Sequence, residues 1–284
     1  MLRSLLALAL CLVAAAADAQ WVNYPTPGVP RGKDGKVLLT APMPRARDGR
    51  PDLSGVWHVQ PTGLAEMKRL FGNDVDALDV PGMEAHTISK YGISVLIDFK
   101  AGDSPLRKDV ADEITRTNRH ESGLDNLARC LPGSVPLSTM LSEFTKIVQT
   151  PGLTLVMHEL DNASRQIYTD GRPLPSDPSP SWLGYSTGRW DRDTLVVETA
   201  GFNGKAPLDI IGNPRSEKMR ITERYRRRDV GHLDVDITFE DPVVYTRPFT
   251  IKVTYELQPD TDVLEYFCNE NEKDRIHIIN AKEK

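Results

Sequence analysis

Four glutamates lie in stretches whose apolar residues repeat every second position. Glu159 shares its alternation with Leu153, Leu155 and Met157, and Glu198 with Val196 and Phe202. Glu223 shares one with Met219, Ile221 and Tyr225, and Glu265 with Val263 and Phe267. Arg165 shares a face with Ile167. If those faces point inward, each carboxylate must be paired, hydrogen-bonded or protonated, because an isolated buried charge is costly. Desolvation and like-charged neighbours raise the pKa of such acids and suit them to proton transfer. The spacing therefore predicts Glu223 and Glu198 as an acid and base for a hydration, dehydration, isomerisation or cyclisation without a cofactor. Arg165 would hold one carboxylate or clamp an anionic group. Glu159, Arg165, Tyr168, Trp182, Tyr225 and Glu265 are the candidate ligand contacts. The plainer alternative is that an inward Glu reaches solvent at a strand end, or that a Glu–Arg pair closes a barrel end.

Other residues carry weaker signals. Tyr168, Asp170 and Arg172 surround an Asp-Gly turn, which reads as a hairpin tip. Trp182, Tyr185 and Trp190 supply aromatic surface for a pocket wall or for core. His158 alternates outward, His232 sits at a turn, and Arg226–Arg228 reads as a solvated hairpin end. Arg215 and Glu217 lie in a loop that could cover a barrel mouth. There is no H-E-x-x-H, no Cys/His spacing for zinc, no Walker loop, no G-x-G-x-x-G and no G-x-S-x-G. The sequence thus implies no metal and no cofactor.

The elements that would position these residues change character along the chain. Residues 20–51 are rich in Pro, Gly and basic side chains and read as an extended arm on the surface. Residues 52–58 read as a first strand. Residues 60–142 read as a mostly helical and irregular insertion. Within it, Gly63–Phe71 forms one short helix, and another starts at Ser104-Pro105 and runs to about Asn118 on Leu106, Val110 and Ile114. Tyr91–Phe99 fits helix or strand. From Phe144 the period is two, giving candidate strands at 144–150, 152–160, 164–170, 181–191, 193–202, 219–228, 232–241, 249–258 and 263–270. Short strands joined by turns predict an antiparallel meander, curled or closed into a barrel because open edges invite aggregation. Residues 52–284 would form this single domain.

Met1–Ala19 has a basic start, an apolar core and an A-x-A end, the pattern of a signal peptide cleaved after Ala19. The mature chain would be periplasmic or secreted, with no membrane span. Its remaining cysteines, Cys130 and Cys268, would be bridged in an oxidising compartment or else be two buried thiols. The net charge of −5 gives no basic footprint for nucleic acid.

Asp52-Leu-Ser-Gly-Val-Trp57 resembles the G-x-W opening of lipocalin-like (calycin) barrels, in which the Trp packs across the closed barrel end. The long insertion after this strand departs from that pattern. RPDLSGVW (50–57), CLPGSVP (130–136), IVQTPG (147–152), RQIYTDGR (165–172), RWDRDTLVVETAGFN (189–203) and DPVVYTRPF (241–249) together resemble a group of exported bacterial proteins of unassigned function. EYFCNEN (265–271) is similar to that group's ending, which more often reads Cys-His-Glu-Gly-Asn; Asn269 stands at the His. Arg215 stands where a His often precedes the Ser-Glu pair. The resemblance implies a periplasmic calycin-like protein and brings no residue roles. The expected function is binding of a small, largely hydrophobic molecule in an internal pocket. The alternatives are the acid–base enzyme above and an envelope-associated interaction protein.

Overall fold

The computed structural model describes residues 25–72, 88–100, 102–117 and 123–268. The expected signal peptide lies outside them. The chain is mainly β, and its strands form a closed barrel. They are β1 (Gly55–Val59), β2 (Thr145–Thr150), β3 (Leu153–His158), β4 (Ser164–Tyr168), β5 (Tyr185–Asp191), β6 (Thr194–Ala200), β7 (Arg220–Arg227), β8 (His232–Glu240) and β9 (Phe249–Leu257). Each pairs with its neighbour in sequence, and β1 pairs with β9 through Trp57↔Leu257 and Val59↔Tyr255. This closure explains why the strand expected at 263–270 does not form in the described part. Both sides of β9 are already paired, so no edge remains for another strand.

The meander is antiparallel except at one seam. β4 and β5 run parallel and share only Ile167↔Ser186 and Tyr168↔Thr187. Asp170-Gly171 is therefore not the tip of a hairpin. Pro173, Pro175, Pro178 and Pro180 follow it, and a residue without an amide proton cannot join a ladder. The chain runs back across the surface before β5 starts, as a parallel neighbour requires.

The barrel interior is filled. Trp57, Val156, Ile167, Leu195, Val197, Ile221, Leu233, Val235, Ile237, Phe239 and Ile251 are among its buried residues. A small void between Trp57, Thr139, Tyr225 and Tyr255 measures about 10 Å³, room for no more than a water. The expected internal ligand pocket is thus replaced by packed side chains.

One end of the barrel is plugged by a pair. Trp57 is 1% exposed and donates its indole N–H to the Leu53 carbonyl at 3.0 Å. The Arg227 guanidinium sits 4.9 Å over that ring. It donates to the carbonyls of Asp52, Asp229 and Val230. Arg227 is therefore a buried plug, whereas Arg226 and Arg228 are exposed as expected of a hairpin end. The arm crosses the outside of this end. Arg31 pairs with Asp260, Arg45 with Asp193, and the Gly231 amide donates to the Leu39 carbonyl at 2.6 Å. A Cβ on Gly231 would lie 2.5 Å from that of Leu39, so only glycine admits the arm here.

The insertion covers the other end. Its described helices are α1 (Leu64–Phe71), α2 (Lys90–Ile93), α3 (Lys108–Thr117) and α4 (Gly123–Ala128). α3 starts later than the Ser104-Pro105 signal predicts. Residues 105–107 are taken up instead by backbone pairing with 244–246, through Arg107 N–H to Val244 O and Thr246 N–H to Pro105 O. Tyr91–Phe99 resolves into the short α2 and turns. Buried Asp209 anchors the insertion by accepting from the amides of Val95, Gly212 and Asn213.

Cys130 and Cys268 are bridged, with a sequence separation of 138. Replacing both by Ser should lower stability by about 5 kcal/mol, the loop-entropy value for so long a closure. Denaturant unfolding of oxidised wild type against the double Ser variant checks this, and equal midpoints would refute it.

Candidate functional site

The seam between β4 and β5 is where the barrel wall is thinnest. Only the end of β4 pairs with β5, so Ser164–Gln166 and Leu183–Tyr185 face each other across a gap. A cleft of about 450 Å³ lies over it. Gln166, Tyr168 and Tyr185 line it from the strands, Trp182 and Leu183 from the loop before β5, and Pro132 from the disulfide-bearing turn. Tyr168 and Tyr185 are stacked, with centroids 5.2 Å apart, and Arg172 sits 3.9 Å over Tyr168. Ser134 donates to the Trp182 carbonyl, which ties the aromatic wall to the turn beside Cys130.

Arg165 forms the floor. Residue alternation in β4 turns it inward, and its side chain is 2% exposed. Its guanidinium crosses beneath the gap. Nε donates to Ser186 Oγ on β5 at 3.0 Å and Nη2 to Thr199 Oγ1 on β6 at 2.7 Å. Nη1 donates to Glu223 Oε1 on β7 at 3.0 Å, and Nη2 also bonds Glu223 Oε2. One side chain thus staples four strands where the backbone ladder is short. Tyr225 Oη completes the cluster by donating to Glu223 Oε1 at 2.7 Å. Burial works against the Arg165 charge, but the adjacent Glu223 carboxylate outweighs it and holds the guanidinium above its ordinary pKa. Burial and the same carboxylate push the Tyr225 hydroxyl well up. It stays a neutral hydrogen-bond donor.

The other glutamates do not join this cluster. Glu198 faces outward, and Leu195, Val197 and Thr199 form the inner face of β6. The reading failed because both faces of β6 are apolar: Val196 is 2% exposed although it points outward. Glu198 instead lies in a surface cleft with Arg172, Arg189 and Arg220, under the proline-rich crossover. Glu223 and Glu198 are therefore on opposite sides of the wall and cannot act on one bound molecule. On β3 the inner face is Thr154, Val156 and His158, so Glu159 shares the outer alternation with Leu153, Leu155 and Met157. Glu159 sits in the turn after β3, where burial raises its pKa and its Oε2 finds no partner among the described residues. Glu265 is exposed and outside any strand.

His158, expected to point outward, is 3% exposed in the interior. Its Nδ1 lies 3.2 Å from Thr145 Oγ1, and Nε2 has no partner among the described residues. Burial, helped by the Arg165 charge, pushes the imidazole down to about 3. It is neutral at physiological pH.

No family model, curated protein or solved structure matches this chain. Of the residues singled out in the sequence, Arg165, Tyr168, Trp182 and Tyr185 meet at the cleft, with Glu223 and Tyr225 directly behind its floor. Both Glu223 oxygens are engaged, and its side chain is 3% exposed. It fixes Arg165 rather than meeting a ligand. Ser186 and Thr199 were not foreseen. Their signal was available in the inward parity of Leu195 and Val197, which includes Thr199, but short polar side chains do not mark a face. Among the described residues no group of three His, Cys, Asp or Glu side chains is placed to hold a metal ion.

Proposed function

We propose that the protein is an exported β-barrel binding module for a small, largely hydrophobic molecule, taken up in the cleft over the β4–β5 seam. The observation that carries this reading is the cleft itself: stacked Tyr168 and Tyr185 and half-buried Trp182 over an Arg165 floor that is fixed from behind. A cleft with aromatic and apolar walls and a few oriented polar groups is the usual form of a small-molecule site. Export is supported by the Met1–Ala19 pattern and by a disulfide, which persists in oxidising compartments. No helix among the described residues is long and apolar enough to cross a membrane.

The test is to incubate purified protein with a hydrophobic metabolite extract and follow bound and free species by mass spectrometry. A compound should be retained unchanged at stoichiometric levels. Trp182→Ala should weaken its retention by about tenfold, the loss of one well-packed aromatic contact. Consumption of a compound in many-fold excess, abolished by Glu223→Gln while binding survives, would replace this reading with acid–base catalysis.

A further inference from the structure

Three arginines are buried among the described residues, and two are fully engaged. Arg165 bonds through Nε, Nη1 and Nη2, and so does Arg227. Arg215 is different. It is 5% exposed, with its guanidinium 4.7 Å over the Phe202 ring. Nη1 donates to the Val135 carbonyl at 2.9 Å, while Nε and Nη2 are buried and have no partner among the described residues. Those two groups form one edge of the guanidinium, with two parallel N–H bonds, the edge that matches the two oxygens of a carboxylate.

The neighbouring acids do not fill this edge. Asp241 is close enough to favour the charge, but its oxygens accept from Ser216 and from the amides of Val243 and Val244. Asp209 is committed to Val95, Gly212 and Asn213. A buried guanidinium with unmet donors is expensive, and proteins normally satisfy such groups. Arg215 also lines a cleft of about 200 Å³ between α3 and the loop at 204–215. Ile114, Ala206, Pro207 and Pro214 give it apolar walls, and Lys205 brings a second positive charge.

We propose that this cleft is a second binding site, for a small carboxylate whose oxygens take the Nε–Nη2 edge of Arg215 and whose short apolar tail packs on Ile114, Ala206, Pro207 and Pro214. It is independent of the aromatic cleft, with which it shares no lining residue. Burial pushes the guanidinium down to about 9, so the charge a carboxylate needs is still present at neutral pH.

The test uses the full oxidised chain, with sodium butyrate as probe and sodium chloride at equal ionic strength as control. Thermal unfolding and calorimetric titration are read for wild type, Arg215→Lys, Arg215→Met and Trp182→Ala. Butyrate should raise the wild-type Tm in a concentration-dependent way, as a ligand of the folded state does. Arg215→Met should weaken butyrate binding at least about tenfold, and Arg215→Lys should weaken it less, keeping the charge without the fork. Trp182→Ala should respond like wild type. Equal effects of butyrate and chloride, or an unchanged response in Arg215→Met, would overturn the proposal. A butyrate response lost in Trp182→Ala would also overturn it, by moving the site to the aromatic cleft. If Arg215→Met does not fold, Arg215→Lys decides: binding equal to wild type refutes the bidentate seat.

Discussion

Glu223→Ala should destabilise the barrel by about 3–5 kcal/mol, because it leaves the Arg165 guanidinium buried without its counter-charge. Arg165 then keeps only the hydroxyls of Ser186 and Thr199, and Tyr225 loses its acceptor. Glu223→Gln should cost less, since an amide retains the shape and one acceptor oxygen. Replacing the pair together, as Arg165→Met with Glu223→Leu, should recover most of the loss, because a packed apolar pair needs no desolvation of ions. Guanidinium denaturation with unchanged m-values would report these differences as stability alone. A Glu223→Ala variant within about 0.5 kcal/mol of wild type, the range of surface substitutions, would show that the pair does not hold the seam.

The second large effect is on acid stability. His158 titrates near 6.5 when unfolded and near 3 when folded. Between these values the unfolded chain binds a proton that the folded chain refuses. Stability contributed by the neutral imidazole is complete above about pH 6.5 and falls as pH drops, by up to about 1.4 kcal/mol per pH unit, until about pH 3. His158→Gln removes the titration and can still meet Thr145. The difference in unfolding free energy between wild type and His158→Gln, followed from pH 7 to 4, should therefore shrink or reverse in the variant's favour as pH falls. A difference independent of pH would mean that His158 reaches solvent in its charged form.

The legibility of this fold varies strand by strand for physical reasons. In β8 and β9 one face is apolar and the other charged, so Leu233, Val235, Ile237 and Phe239, and Ile251 and Val253, declare the interior directly. In β7 the interior glutamate was legible because Ile221 and Tyr225 flank it on one parity and arginines occupy the other. β3 and β6 mislead because their outer faces are half-buried or buried, while their inner faces carry the polar residues Thr154, His158 and Thr199. Alternation assigns the more apolar face inward, and that rule fails where a barrel spends interior space on hydrogen bonds. The seam was hidden for another reason. Asp170-Gly171 is good hairpin chemistry, and only the prolines after it bar an antiparallel return. Arg227 continues the inward parity of Ile221, Glu223 and Tyr225, but its place in a run of arginines at a strand end masks that signal.

The short seam also divides the barrel by sequence distance. β2–β4 and β5–β9 are two meanders whose internal pairings join consecutive strands. They meet only at β4–β5 and, through β1, at the β1–β2 and β1–β9 closures, where long loops must be ordered before contacts form. The fewest backbone pairings cross β4–β5, so the Arg165 staple is what chiefly opposes opening along that line. The aromatic cleft straddles it. A molecule seated there bridges both halves and binds the closed barrel only, so occupancy and breathing of the wall become two sides of one equilibrium.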